Sequence, residues 1–173
     1  MNETLKTLKE RRSCRKYAPR QVEAEVLDQI LEAGTYAPTG MNRQSPVIVA
    51  VQDKATRDKI AKMNAAVMGM DDDPFYGAPT VLVVLADPAI LTYVHDGSLV
   101  MGNLMNAAHA VGVDSCYIFR AKEVFATEEG KEMLRSWGIP DHFEGIGNCI
   151  LGYREEGGVK EVAPRKANYI VKV

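Results

Sequence analysis

The sequence predicts an α/β fold, a three-layer α/β/α sandwich, and three observations carry that prediction. Short β-branched runs such as Thr80–Ala86 alternate with longer segments whose apolar residues recur at helical spacing. Gly, Pro and Asp punctuate the boundaries between them. No internal repeat, linker or low-complexity stretch divides the chain, so residues 1–173 read as one domain. With 46% hydrophobic residues over 173 positions, folding buries roughly 70% of the surface of the unfolded chain, enough for a core without staples. A disordered tail, a collagen-like fibre and a disulfide scaffold are excluded.

Each element has its own warrant. Residues 3–10 read as a short helix. A second begins near Glu23, with Val26, Leu27, Ile30, Leu31 and Gly34 at helical spacing, and it stops before Pro38. Pro46–Val51 is short, β-branched and bounded by turn residues, which predicts a buried strand. A helix over Lys54–Met68, a loop through Asp71-Asp72-Asp73-Pro74 and a strand over Thr80–Ala86 follow, the last closed by Asp87-Pro88. Asp96–Val111 reads as a long helix whose Gly102, Ala107 and Ala110 permit close approach of another helix. A strand over Asp114–Phe119, a helix over Lys122–Trp137 and a strand over Ile146–Tyr153 complete the body. Tyr169–Val173 is a fifth strand-like piece beyond the polar Glu155-Glu156-Gly157-Gly158. An apolar strand on such a tether invites exchange of the C-terminal strand between subunits.

Charge and cysteine usage narrow the function classes. The longest apolar run, around Thr80–Ala86, is far below the roughly 18 residues that cross a bilayer. The polar start Met1–Lys6 lacks the apolar core of a secretory signal, so a cytoplasmic location is expected. Cys14, Cys116 and Cys149 are odd in number and widely spaced, which fits a reducing compartment. The net charge of −2 conceals an asymmetry: +5 over residues 1–20, +2 over 154–173 and −9 between them. The acidic body argues against a general nucleic-acid binder and leaves a local anion site at the two basic ends.

Several motifs fail. Gly145-x-Gly147 precedes a strand, whereas a dinucleotide fingerprint opens a helix. Asp71-Asp72-Asp73 lacks the glycine and terminal glutamate of an EF-hand loop and reads as a solvated turn. His95, His109 and His142 have no ligand-like spacing, so no metal is expected.

Arg11-Arg12-Ser13-Cys14-Arg15-Lys16 is different. Four cations and a hydroxyl in six residues form a dense anion-binding set, and in an extended stretch Arg11, Ser13 and Arg15 share one side. A thiol among four cations invites a lowered pKa, so Cys14 is a candidate reactive thiol set against a spectator. Ala37-Pro38-Thr39-Gly40-Met41-Asn42-Arg43-Gln44-Ser45 is a loop of small residues and amides that lets a flat ligand approach the backbone.

Together and in this order, these segments resemble the FMN-dependent nitroreductase family. The likeness continues through Gly77-Ala78-Pro79, Asp96-Gly97, Gly112-Val113, Gly152-Tyr153 and Pro164-Arg165-Lys166. It implies the nitroreductase-type sandwich and an FMN cofactor, with Arg11 and Ser13 on its phosphate and ribityl region and Arg165 joining from the C-terminal segment. It puts Arg15 at the pyrimidine edge of the flavin, where a fixed positive charge favours the reduced ring. Pro38, Thr39, Gly40, Asn42 and Gln44 would close over the ring from the second subunit of a homodimer. Two departures stand out: Ser45 separates Gln44 from Pro46, and Cys116–Arg120 lacks a Glu-Gly pair found in some longer members. The implied activity is hydride transfer from NADH or NADPH through FMN to a nitroaromatic, quinone or flavin acceptor in a ping-pong cycle. A non-catalytic FMN carrier and a specialised flavin chemistry are the alternatives.

Overall fold

The computed structural model describes residues 2–173; Met1, with which the polar N-terminal reading begins, lies outside them. In chain order the described residues form α1 (Glu3–Glu10), α2 (Ala24–Thr35), β1 (Val47–Val51), α3 (Lys54–Met68), β2 (Thr80–Ala86), α4 (Tyr93–Ala110), β3 (Asp114–Ile118), α5 (Ala121–Ala126), α6 (Glu128–Ser136) and β4 (Glu144–Gly152). The strands form one sheet in the order β1-β2-β4-β3, and every pairing is antiparallel. The fold is therefore an α+β sandwich.

Strand alternation builds its two cores. All seven residues of β2 are buried. Val81, Val83 and Leu85 enter one cluster with Ile60, Val124, Phe125 and Leu134 of α3, α5 and α6. Leu82, Val84 and Ala86 enter the other, with Leu27, Ile30, Met101 and Leu104 of α2 and α4. A strand that is apolar at consecutive positions suits a sheet covered on both faces, whatever its direction.

Four elements differ from expectation, one being β4, which begins at Glu144 and not at Ile146 and so takes in both Gly145 and Gly147. The helix expected over Lys122–Trp137 is two helices, because Thr127 leaves helical backbone geometry and caps α6, its Oγ1 accepting from the Gly130 N–H at 3.0 Å. The long helix starts three residues early, at Tyr93. Beyond a 3₁₀ turn at Ala167–Tyr169 the tail forms no strand among the described residues, and Ile170 and Val171 are exposed. Among the described residues its backbone groups pair with no strand.

The basic segment, by contrast, is stitched down. The Cys14 N–H donates to Ser115 O at 3.0 Å, the Arg15 N–H to Gly158 O at 2.8 Å and the Ala18 N–H to Tyr153 O at 2.8 Å. Buried Tyr17 donates its hydroxyl to Cys14 O at 2.9 Å. Glycine is required at 158 because a Cβ there would lie 2.7 Å from Lys16 O. Among the described residues no helix is long and apolar enough to cross a membrane.

Candidate functional site

The docking of residues 13–17 against β3 and the 154–159 turn fixes which side chains of the basic segment face inward. Cys14 is fully buried while Arg11 and Ser13 are half-buried and Arg15 is exposed, the alternation that an extended chain imposes. Burial pushes the Cys14 thiol above its ordinary value, with the Lys16 carbonyl, 3.2 Å from Sγ, as its polar neighbour. The lowered pKa expected of a thiol among four cations is thus corrected: the cations sit in a different environment from the sulfur, and desolvation decides. Cys149, fully buried on β4, is pushed up to about 12 by the same cause.

Arg11 reaches toward the sheet, close enough for its charge to be felt at Cys149. Its Nη1 is buried with no hydrogen-bond partner, as is the Nε of Arg12. Arg12 spends its Nη1 on the Lys9 and Arg11 carbonyls, so part of its work is to fix the end of α1. A buried guanidinium N–H without an acceptor costs about 1–3 kcal/mol, which an anion would relieve. The donor set of Arg11, Arg12 and Ser13 therefore fits a phosphate monoester: charged forks and a neutral hydroxyl at the rim of the sheet, with an unsatisfied donor among them. Ser115, bridged to Ser13 across the segment, also has a buried Oγ without a partner.

The second predicted set is a separate turn, between α2 and β1. Thr39 and Gly40 are half-buried; Pro38, Asn42 and Gln44 are exposed. Met41, Asn42 and Gln44 all take positive φ, three of the five non-glycine residues that do so among those described. Left-handed backbone at bulky residues persists only where the surroundings hold it, and such strain concentrates at functional loops. What holds this turn is polar: the Gln44 N–H donates to Thr39 Oγ1 at 3.1 Å, the Gln44 amide to Asn42 Oδ1 at 2.9 Å, and the Gly40 N–H to buried Asp96 Oδ1 at 3.0 Å. Thr39 and Gln44 also wall a cavity of about 370 Å³ with Leu31, Gly34, Ile48 and Val100.

Arg165 sits in the exposed tail, its Nη2 donating to Ala163 O at 2.9 Å. Among the described residues no hydrogen bond or ion pair joins the 11–17 segment to the 38–45 loop, or either of them to Arg165. One chain brings Arg11, Arg12, Ser13 and Arg15 together and leaves the other two groups apart. Asp96 and its partner Thr92 went unnoticed as site residues in the sequence, where Asp96 looks like one acid opening a helix. Asp73 receives an ion pair from buried Arg57 at 2.6 Å and accepts from the Phe75 N–H, so the acidic triplet anchors a turn. Among the described residues no three His, Cys, Asp or Glu side chains gather as a metal site would require.

An all-antiparallel sheet between two helical layers defines an α+β sandwich, and its basic segment holds a buried Arg11 Nη1 without a partner. A sequence model of the Nitroreductase family matches residues 8–69, the stretch that holds both polar segments. The FMN reductase [NAD(P)H] of Bacillus subtilis is 33% identical over 178 residues, covering 93% of this chain and 70% of that one. The solved structure of a nitroreductase with bound FMN from Bacteroides fragilis matches with a TM-score of 0.91 at 31% identity, over 100% of both chains. A second, the nitroreductase with bound FMN from Desulfitobacterium hafniense, matches with a TM-score of 0.88 at 28% identity, over 100% of this chain and 99% of that one. The chain belongs to the nitroreductase family.

Proposed function

We propose that the protein is an FMN-dependent NAD(P)H oxidoreductase that works as a homodimer, the whole chain forming one cofactor-binding unit. The observation that carries this reading is the buried, unpaired Nη1 of Arg11 on a segment whose other members are cations and a hydroxyl. A dianionic phosphate monoester supplies the acceptors that this donor set lacks. Bound FMN would supply the hydride-accepting and electron-donating chemistry that no side chain here offers.

The residues of the chain then have separable tasks. Arg11, Arg12 and Ser13 hold the phosphate end, and Arg165 adds a second guanidinium once the tail is ordered. Arg15, exposed and one step further along the same side, contributes fixed positive charge toward the ring. Pro38, Thr39, Gly40, Asn42 and Gln44 cover the ring from the partner subunit and exclude water from it. The apolar tail Tyr169–Val173, unpaired in its own chain, adds to the edge of the partner's sheet. NADH or NADPH is the donor, and nitroaromatics, quinones or free flavin are the acceptors, used in alternation at one site. Three unpaired, buried thiols suit a reducing, cytoplasmic setting.

The test is direct. Purified protein supplied with FMN should retain flavin absorbance after gel filtration, and anaerobic NADH or NADPH should bleach it within seconds. A preparation that stays colourless ends the proposal; a flavin that binds but does not respond to either nucleotide makes the protein a carrier.

A further inference from the structure

We infer that Asp96 and Thr92, at the start of α4, form a latch that holds the 39–44 turn in its cofactor-facing shape, making Asp96 a positioning residue for flavin binding. The inference rests on the proposed FMN function and deepens it.

Thr92 occupies the N-cap position of α4 but makes no capping hydrogen bond there. Its hydroxyl instead donates to Asp96 Oδ2 at 2.8 Å, leaving Oδ1 to accept from the Gly40 N–H at 3.0 Å. Asp96 is 3% exposed, so the carboxylate is buried with these two donors as its side-chain hydrogen-bond partners. A buried charge that forgoes water must be held by such bonds, and each bond to an ionised group is worth roughly twice a neutral one. Position 40 has to be glycine for the same contact: a Cβ there would lie 2.9 Å from Thr92 Cγ2.

Immediately after the latched residue come the positive-φ positions Met41, Asn42 and Gln44. Left-handed backbone is strained at such residues, and the turn's internal hydrogen bonds are exposed ones. The buried anchor at Gly40 is what ties this strained, solvent-facing turn to the rigid body. Without it the turn relaxes toward ordinary backbone, and the groups proposed to cover the ring no longer stand ready.

FMN titration of apo-protein, followed by quenching of flavin fluorescence and by the visible circular dichroism of the bound flavin, tests the latch. Asp96→Ala should weaken binding about tenfold or more, the loss expected for two hydrogen bonds to a buried charge. It should also alter the dichroism of whatever flavin remains bound. Asp96→Asn, which can still accept from Gly40 and lets Thr92 turn from donor to acceptor, should restore both to within about threefold. Thr92→Val, nearly isosteric, should give an intermediate loss and carries the test alone if Asp96→Ala does not fold. Wild-type protein that takes up no FMN refutes the proposed function itself. Wild type that binds while the Ala and Val variants bind equally tightly, with unchanged dichroism, overturns the latch.

Discussion

The two basic ends of the chain share a sign of net charge, +5 and +2, and have opposite physical character. Residues 11–17 are tied by backbone hydrogen bonds to β3 and to the 154–159 turn, and they bury Cys14 and Tyr17 completely or nearly so. Residues 160–173 make one 3₁₀ turn and leave Val162, Tyr169, Ile170, Val171 and Val173 exposed. One end carries its own structural reasons for its shape; the other carries apolar side chains and backbone that the described residues neither cover nor pair. In the proposed function, the first half of the phosphate clamp is preformed, and the second is brought into place by a partner before Arg165 can contribute.

The largest effect should come from breaking the unpaired end. Deleting residues from Asn168 onward should turn the protein monomeric and cost it most of its FMN together, as read by light scattering and flavin absorbance on one column. A monomer that still holds one FMN per chain would show that the tail serves neither purpose.

Next is the contrast between the two arginines. Arg11→Ala removes a preordered, charge-assisted donor, worth about 2–3 kcal/mol, so FMN affinity should fall roughly 30- to 150-fold in a fluorescence titration. Arg165→Ala should cost less, because ordering the tail already offsets part of what that guanidinium gains. Equal losses would mean that preorganisation does not separate the two ends.

A smaller effect tests the stitching itself. Tyr17→Phe deletes the buried hydroxyl that bonds Cys14 O at 2.9 Å and should lower unfolding free energy by about 1–2 kcal/mol in urea. In wild type the three buried thiols should react with a thiol reagent only as the protein unfolds, since burial raises both Cys14 and Cys149 above their ordinary values. Rapid labelling of Cys14 in the native state would show that the segment opens.

The smallest effect lies away from both ends. Glu144 accepts from Lys122 and from the Tyr93 hydroxyl, each at 2.7 Å, and these bonds hold its carboxyl below its ordinary value near 4.5. Because the folded value is depressed, the contribution is fully present above that ordinary value and is lost as pH falls through the folded one. For a partly exposed pair it should amount to less than about 1 kcal/mol. The urea-midpoint gap between wild type and Glu144→Gln should therefore narrow from about pH 6 to about pH 3.

Glycine and proline punctuation and apolar period placed most elements in the sequence: α3 and β2 fall over the expected residues because each is uniform in period and cleanly capped, α3 by Asp53 before it and Gly69 after it. The break at Thr127 was harder to read, since Lys122–Trp137 is helical in period throughout and a threonine caps only when the chain turns there. Strand direction was not legible either. Residues buried on both faces look alike in parallel and antiparallel sheets, so alternation with helices predicts the layers and leaves the ladder open.

The same division runs through the site. Local sequence determined the cluster of cations around Arg11, because charge density and alternation are properties of neighbours along the chain. Only tertiary structure decided that Cys14 is buried with a raised pKa, since desolvation depends on what packs above the sulfur. Only tertiary structure gave Gly40 a partner 56 residues away in Asp96. A hydrogen bond across that separation leaves no periodic trace in the sequence, because what fixes it is the packing that brings the start of α4 to the turn before β1.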